Sequence, residues 1–330
     1  MSPETDSHVA IADASPSAPF YRSWFVNQFG HRRAFWRIAL FVLIAFLLGA
    51  AISRLANLVP LPDEGDAMVT WKGVVGTGGA CIAMIVAAGI VLRWLDHRPT
   101  VLLGLSLSAG WKRDLALGIF LGFAFLSSVL VCLWIGGWVS LSVNDLTPAL
   151  LGGISKAMLM FFLAALAEEL LIRGYPLQAF IEGSRPWIAV IVLSSIFSVM
   201  HLGNPDMTIP SALNIFFAGV LLSVCYLKTR SLWLPAGLHF GWNWAQGSFW
   251  GMGVSGFHVQ WSVFAAQAHG ADWISGGKFG AEASIIATVI IPAAAYLIWR
   301  SDKFGVAEEL KVAWAAFPRG YKLPPQPDKE

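Results

Sequence analysis

Three charged residues interrupt an apolar stretch, LAALAEELLIRGYPLQAF, at residues 163–180. Glu169 and Arg173 are four residues apart with the acid first, which is the favourable order for an ion pair on a helix. Glu168 lies about 100° around the same helix and has Ile172, not a base, four residues later. An unpaired carboxylate in apolar surroundings is a candidate general base for hydrolysis.

Two histidines and an asparagine lie in later apolar stretches. FSVMH places Phe197 and His201 on one helix face, and HFGWN places His239 and Asn243 on one face of another helix. Polar side chains in membrane helices are costly and usually face the interior of a bundle. Together with Glu168 they would supply a base and hydrogen-bond donors, the groups that amide hydrolysis needs. A purely structural role, with an ion pair and packed histidines, stays open.

Composition places this chain in a membrane. Of its 330 residues 56% are hydrophobic and 13% charged, with 16 Trp and a mean hydropathy of +0.64. A water-soluble globule does not carry this much apolar surface. Because a spanning helix needs about 20 apolar residues, we predict an all-α, polytopic membrane helix bundle of about eight transmembrane helices, with the active site inside the bundle. The predicted spans are 35–55, 74–95, 115–139, 153–181, 186–203, 209–228, 231–250 and 282–300.

The chain divides into six sections, and no internal repeat marks a second domain. Residues 1–34 hold no apolar core with a cleavage signature, so we expect the first apolar segment to stay as an anchor. The expected sections are a polar cytoplasmic tail (1–34), N-terminal transmembrane helices (35–150), a catalytic helical core (151–250), a packed Gly-rich loop (251–281), a last transmembrane helix (282–300) and a second cytoplasmic tail (301–330).

The basic residues predict the orientation in the membrane. With the N-terminus inside, 18 of the 22 Lys and Arg residues fall on the cytoplasmic side. Those on the opposite side are Arg54, Lys72, Lys156 and Lys278. This imbalance favours cytoplasmic termini at both ends. The net charge of +2, without a cluster of basic and aromatic residues, argues against a nucleic-acid partner.

The polar motifs, taken in order, resemble a known family. EELLIR resembles the EExxxR motif, FSVMH resembles FxxxH, and HFGWN resembles HxxxN. As a set they resemble the CPBP family of intramembrane endopeptidases, also called Abi, which is named for CAAX proteases and bacteriocin processing and includes type II CAAX prenyl proteases. The resemblance covers about residues 150–245. It implies a membrane-associated protein or peptide as substrate, the lipid bilayer as surroundings and, we expect, the plasma membrane of a bacterium.

The resemblance also implies catalytic roles. Glu168 would be the general base, and His201 would help to hold the attacking water. His239 and Asn243 would bind the oxyanion of the tetrahedral intermediate.

The ion pair of Glu169 and Arg173 would orient Glu168 and support its charge. Phe197 would form a wall of the site rather than take part in the reaction. No cofactor is expected in this glutamate mechanism.

A zinc-dependent mechanism is the first alternative. Glu168, His201 and His239 could make a three-ligand zinc site with an open fourth position. The chain has no HExxH motif, and Asn243 suits an oxyanion donor better than a zinc ligand. We therefore expect the metal-free mechanism.

Two other classes of protein stay open. Glu and His side chains that face a bundle interior also make ion paths, so the chain could be a transporter or a proton relay. A non-catalytic immunity scaffold that binds a membrane partner is the third interpretation. GVSG at 253–256 matches the GxSG pattern of rhomboid serine proteases. The later histidines, His258 and His269, lie in the same loop, and the last span contains no histidine that could act as the base of the serine. We therefore interpret the match as chance.

Overall fold

A computed structural model describes residues 33–62, 64 and 69–316. The remaining residues, at 1–32, 63, 65–68 and 317–330, lie outside this description. The tail expected at 1–34 therefore falls almost wholly outside the described residues, whereas only 317–330 of the tail expected at 301–330 do.

Helices dominate the described part of the chain. Eleven are α-helices: α1 (Ala34–Ala56), α2 (Trp71–Ile90), α3 (Trp111–Ile135), α4 (Pro148–Glu169), α5 (Tyr175–Gly183), α6 (Pro186–Met200), α7 (Ile209–Thr229), α8 (Trp233–Trp244), α9 (Asp272–Ser275), α10 (Ile285–Arg300) and α11 (Glu308–Ala315). Three π-helical turns continue α2, α4 and α8, at Val91–Leu95, Leu170–Gly174 and Ala245–Phe249. Short 3₁₀ turns lie at Thr100–Leu103 and Ala281–Ala283.

The predicted helical bundle is confirmed, and each of the eight predicted spans contains a helix. Five helical segments of the described chain are long and apolar enough to cross a membrane: Ala34–Ala56, Trp71–Leu95, Trp111–Ile135, Pro148–Gly183 and Ile209–Thr229. Helices α6 and α10 have 15 and 16 residues. At about 1.5 Å per residue they are shorter than the roughly 30 Å hydrocarbon core.

One small sheet departs from the all-α prediction. Strands β1 (Val139–Val143) and β2 (Phe264–Ala268) pair antiparallel, with Val139 opposite Ala268. The sequence VSLSV of β1 alternates apolar and polar residues, which is the period of a strand. β2 and α9 lie within the Gly-rich loop predicted at 251–281, so this loop has structure of its own.

The outer surfaces of the helices are apolar. Large side chains such as Phe46, Ile135 and Val289 are mostly exposed. An apolar surface of this extent suits lipid rather than water. The chain is therefore an integral membrane protein.

Charged side chains join three helical segments at one end of the bundle. Arg37 of α1 donates to Asp96 at 2.5 Å and to Glu182 of α5 at 2.8 Å. Arg98 donates to the other oxygen of Glu182, and Tyr175 donates to Asp96. Since all these groups are buried, each charge has an opposite charge beside it, as burial requires.

Helices α3 and α8 touch along their backbones because glycines line the contact. A Cβ on Gly122 would lie 2.0 Å from the Leu238 carbonyl oxygen and 2.7 Å from the Trp242 nitrogen. Small residues four apart allow this approach in membranes. Leu238 and Trp242 immediately precede His239 and Asn243, so the contact fixes the turn of α8 that carries both. The other glycines of this contact are Gly118, Gly237 and Gly241.

Candidate active site

The charged residues of EELLIR lie where α4 passes into its π-helical turn. Glu168 and Glu169 end α4, and Arg173 lies in the turn Leu170–Gly174. π-helical turns within α-helices are frequent at functional sites. The side chains of Glu169 and Arg173 are fully buried, whereas that of Glu168 is one-third exposed.

The predicted ion pair is present. Arg173 donates to Glu169 Oε1 at 3.1 Å. It also donates to the Gly219 carbonyl oxygen at 3.1 Å and to Ser223 Oγ at 3.4 Å, both on α7. Its guanidinium lies over the ring of Phe197, 4.5 Å from the centroid. These contacts hold the arginine in place.

His239 contacts both glutamates. Its Nδ1 lies 3.0 Å from Glu169 Oε1, and its Nε2 lies 3.6 Å from Glu168 Oε2. Because a carboxylate only accepts hydrogen bonds, Nδ1 carries a proton and donates a hydrogen bond to Glu169. The ion pair of EELLIR thus supports His239 directly, a contact across helices that the motif spacing did not predict.

His201 approaches Glu168 from α6. It caps the end of that helix, and its Nδ1 lies 2.7 Å from the Phe197 carbonyl oxygen. Since a carbonyl accepts, Nδ1 donates, and Nε2 is left facing Glu168 Oε2 at 3.9 Å. The Phe197 ring packs against the rings of His201 and His239, with centroids 4.7 and 6.1 Å away.

The hairpin geometry explains why Glu168 and His201 meet. α5 ends at Gly183 and α6 begins at Pro186, which places the turn where the sequence predicts it. Glu168 and His201 lie at similar distances from this turn along the two arms. His239 joins them from a helix that is regular from Trp233 onward.

A cavity opens beside the two histidines. Its volume is about 50 Å³, which is room for about three to five waters. Asn243 lies one turn after His239 and lines the same cavity, whereas Glu168 is not among its lining residues. Five of the six predicted site residues thus form one contact network through Glu168 and Glu169, and Asn243 joins them through the cavity.

The cavity also contains polar residues that the sequence analysis missed. Asn214, Ser255 and Glu282 line it, together with apolar side chains of α7, α8 and α10. Asn214 and Glu282 lie within predicted membrane spans. The rule that polar side chains in membrane helices face the interior of the bundle, which singled out Glu168, could therefore have found them. Ser255 belongs to GVSG, where the structure gives its hydroxyl a contact with Glu282.

Fold and site together define a class: a polytopic membrane protein whose bundle encloses a cluster of carboxylates, imidazoles and a guanidinium. Residues 150–245 match the family described as Type II CAAX prenyl endopeptidase Rce1-like. The match confirms the family that the three motifs predict. It supports a membrane peptidase of the CAAX protease type. No curated protein and no solved structure shows a match to the chain.

Proposed function

We propose that this protein is an intramembrane endopeptidase that hydrolyses a peptide bond of a membrane-associated protein or peptide. The main support is one arrangement: Glu168 Oε2 faces Nε2 of His239 at 3.6 Å and Nε2 of His201 at 3.9 Å inside a membrane bundle. A water molecule bound among these atoms has an acceptor for each of its protons.

Glu168 acts as the general base. A proton moves from the water to Glu168 while the water oxygen bonds to the carbonyl carbon of the substrate. His201 donates through Nδ1 to a carbonyl, so its Nε2 lone pair accepts from the water and orients it. Glu168 then returns the proton to the nitrogen of the leaving amine as the C–N bond breaks. Proton transfer of this kind contributes about 100- to 10,000-fold in rate.

His239 and Asn243 stabilise the oxyanion. Glu168 and Glu169 carry two negative charges and Arg173 one positive charge, so one added proton balances the cluster. We assign this proton to His239, which contacts both carboxylates. Its Nε2–H and the Asn243 amide then serve as donors, and losing one such donor costs about 100- to 1000-fold in rate.

A zinc-dependent reaction would need Glu168, His201 and His239 as ligands. Among the described residues, no three His, Cys, Asp or Glu side chains are grouped as a metal ion requires. We therefore propose the metal-free reaction for this site. A chelator distinguishes the two mechanisms, because it abolishes zinc-dependent cleavage and leaves metal-free cleavage by Glu168 intact.

We infer cytoplasmic termini and the plasma membrane of a bacterium for this chain. Two contacts join segments that this orientation assigns to the same side of the membrane, as it requires. Arg113 donates to the Lys303 carbonyl oxygen at 2.9 Å, and Lys228 donates to the Trp299 carbonyl oxygen at 3.1 Å. Single cysteines are added near Arg113 and near Lys228. Labelling them from either side of the membrane of intact cells tests the orientation.

The function is tested with a library of membrane-anchored peptides, prenylated and unprenylated, incubated with purified protein. Wild type should cleave a subset of them, and Glu168→Gln should cleave none at a comparable rate. Glu309→Gln, which alters an exposed carboxylate on α11, is the matched control and should cleave like wild type. Cleavage by wild type that a chelator abolishes and zinc restores would favour the metal mechanism. Absence of any cleavage would favour the transporter or scaffold interpretation.

A further inference from the structure

Besides Glu168 and Glu169, a further carboxylate lies near the proposed catalytic residues, in the cavity itself and outside the segment that matches the family. Glu282 comes from the 3₁₀ turn before α10 and is 8% exposed. It lines the same cavity as His201 and His239. The mechanism proposed above does not use it.

Glu282 is held firmly by Ser255, and no arginine or lysine of the described residues pairs with it. The backbone N–H and the hydroxyl of Ser255 both donate to its Oε1, the hydroxyl at 2.8 Å. Its Oε2 has no donor within the part of the chain that the structure describes. In the same part of the chain, Glu169 and Glu182 each pair with an arginine, whereas Glu282 pairs with no lysine or arginine. The proton assigned to His239 lies in the same cavity but is shared with Glu168 and Glu169, so a ligand cation beside Oε2 would further stabilise this buried carboxylate.

A second acceptor lines the cavity. Asn214 of α7 is 1% exposed, and its Nδ2 donates to the Glu282 and Ser284 carbonyl oxygens at 2.8 and 3.0 Å. These two bonds use both amide protons and fix which way the amide points. Its Oδ1 is buried and has no hydrogen-bond partner among the described residues. Buried acceptors rarely stay without a donor.

Most of the other residues around the cavity are apolar, and they include the aromatic side chains of Phe197 and Trp242. Ile215, Leu222 and Ile291 lie on α7 and α10 around it. A largely apolar wall that contains two acceptors without donors, one of them a carboxylate, fits a side chain with an apolar stem and a cationic end. A substrate carboxylate at this place would face a like charge and be rejected.

We propose that Glu282 and Asn214 form a substrate subsite for a lysine or arginine side chain close to the bond that is cleaved. The subsite rests on the proposed peptidase function, because it assigns part of that enzyme's specificity. Glu282 binds the cation through Oε2, Asn214 accepts a further hydrogen bond through Oδ1, and Ser255 keeps the carboxylate in place. Charge-assisted bonds of this kind are about twice as strong as neutral ones.

Peptide pairs that differ only at one position test the subsite. Each pair carries lysine or its uncharged counterpart norleucine, and the position is moved along both sides of the cleaved bond. Wild type should prefer lysine at one position by about tenfold or more in kcat/KM. Glu282→Gln keeps an acceptor for Ser255 but loses the charge. Its ratio of kcat/KM for the lysine peptide to that for the norleucine peptide should fall close to one. Glu309→Gln should keep the wild-type preference.

Two results would overturn the subsite. One is that wild type prefers lysine at no position, and the other is that Glu282→Gln keeps the preference. If Glu282→Gln does not fold, wild type alone still decides the matter. Butylguanidinium should then inhibit cleavage competitively and its neutral counterpart butylurea should not, whereas equal inhibition by both would contradict a cation subsite.

Binding separates failure of the subsite from failure of the proposed function. Lysine and norleucine peptides are titrated against Glu168→Gln and against the double variant with Glu282→Gln. If wild type cleaves no peptide, and Glu168→Gln binds the lysine peptide more tightly than the norleucine peptide, the peptidase proposal fails and the subsite stands. If wild type cleaves peptides without any charge preference in binding or rate, the subsite fails and the peptidase stands.

Discussion

Replacing Gly122 by alanine tests how strongly the site depends on the close contact of α3 and α8. The added Cβ would lie 2.0 Å from the Leu238 carbonyl oxygen, whereas carbon and oxygen atoms in close contact are about 3.3 Å apart. The obstacle is backbone, which cannot rotate away. The two helices must therefore separate by about 1.3 Å at this level.

That separation displaces the residues next to Leu238 and Trp242, which are His239 and Asn243. A misplacement of about 1 Å in a catalytic group costs about 100-fold in rate. We therefore expect Gly122→Ala to lower kcat/KM by about 100-fold. Overpacking costs about 1–3 kcal/mol in a well-packed interior, so the variant should still fold.

Gly76→Ala is the matched control for this prediction. Gly76 lies on the exposed face of α2, and a Cβ there meets nothing within 4 Å. Its cleavage rate should stay within about twofold of wild type. Both variants are compared in the peptide cleavage assay and by thermal unfolding in detergent. A Gly122→Ala protein that folds and cleaves at the wild-type rate would refute the claim that this contact positions His239 and Asn243.

Three further variants test the charged contacts. Glu169→Gln should lower the free energy of unfolding by about 3–5 kcal/mol, because the buried Arg173 loses its carboxylate; an unchanged denaturant midpoint would contradict this. Glu182→Gln should also lower the melting temperature, since Glu182 bridges two buried arginines, but it should change kcat by less than about twofold because the cluster lies away from the cavity. The hydrogen bond from Lys156 lowers the pKa of Glu64 below its usual 4.5, so the stabilisation from this pair is present above pH 4.5 and disappears as the pH falls through the lowered value. The difference in melting temperature between wild type and Glu64→Gln should accordingly shrink from pH 7 to pH 3, and a constant difference would refute the assignment.

Local patterns account for what the sequence predicts well. Helix periodicity and hydropathy act over one turn or one span, so the eight helices and the turn between α5 and α6 lie close to their predicted places. The pair of Glu169 and Arg173 is also local, because both residues belong to one helical turn.

Local patterns do not predict contacts between elements that are distant in the sequence. Glu169 accepts from His239, which is 70 residues away, and no spacing rule relates residues on different helices. Glu168 and His201 lie on two neighbouring arms of one hairpin, whereas α8 packs through glycines whose partners depend on the tertiary fold. Glu282 likewise lines the cavity from a turn that follows β2, which no local pattern relates to the histidines.

The rate of peptide cleavage by Glu168→Gln, measured in metal-free buffer on a peptide that wild type cleaves, tests the central claim most directly. Glutamine has nearly the same shape as glutamate but cannot take a proton from water. If Glu168 is the general base, kcat falls about 100- to 10,000-fold while the folded protein still binds the peptide. Cleavage at the wild-type rate would show that another group activates the water and would contradict the proposed mechanism.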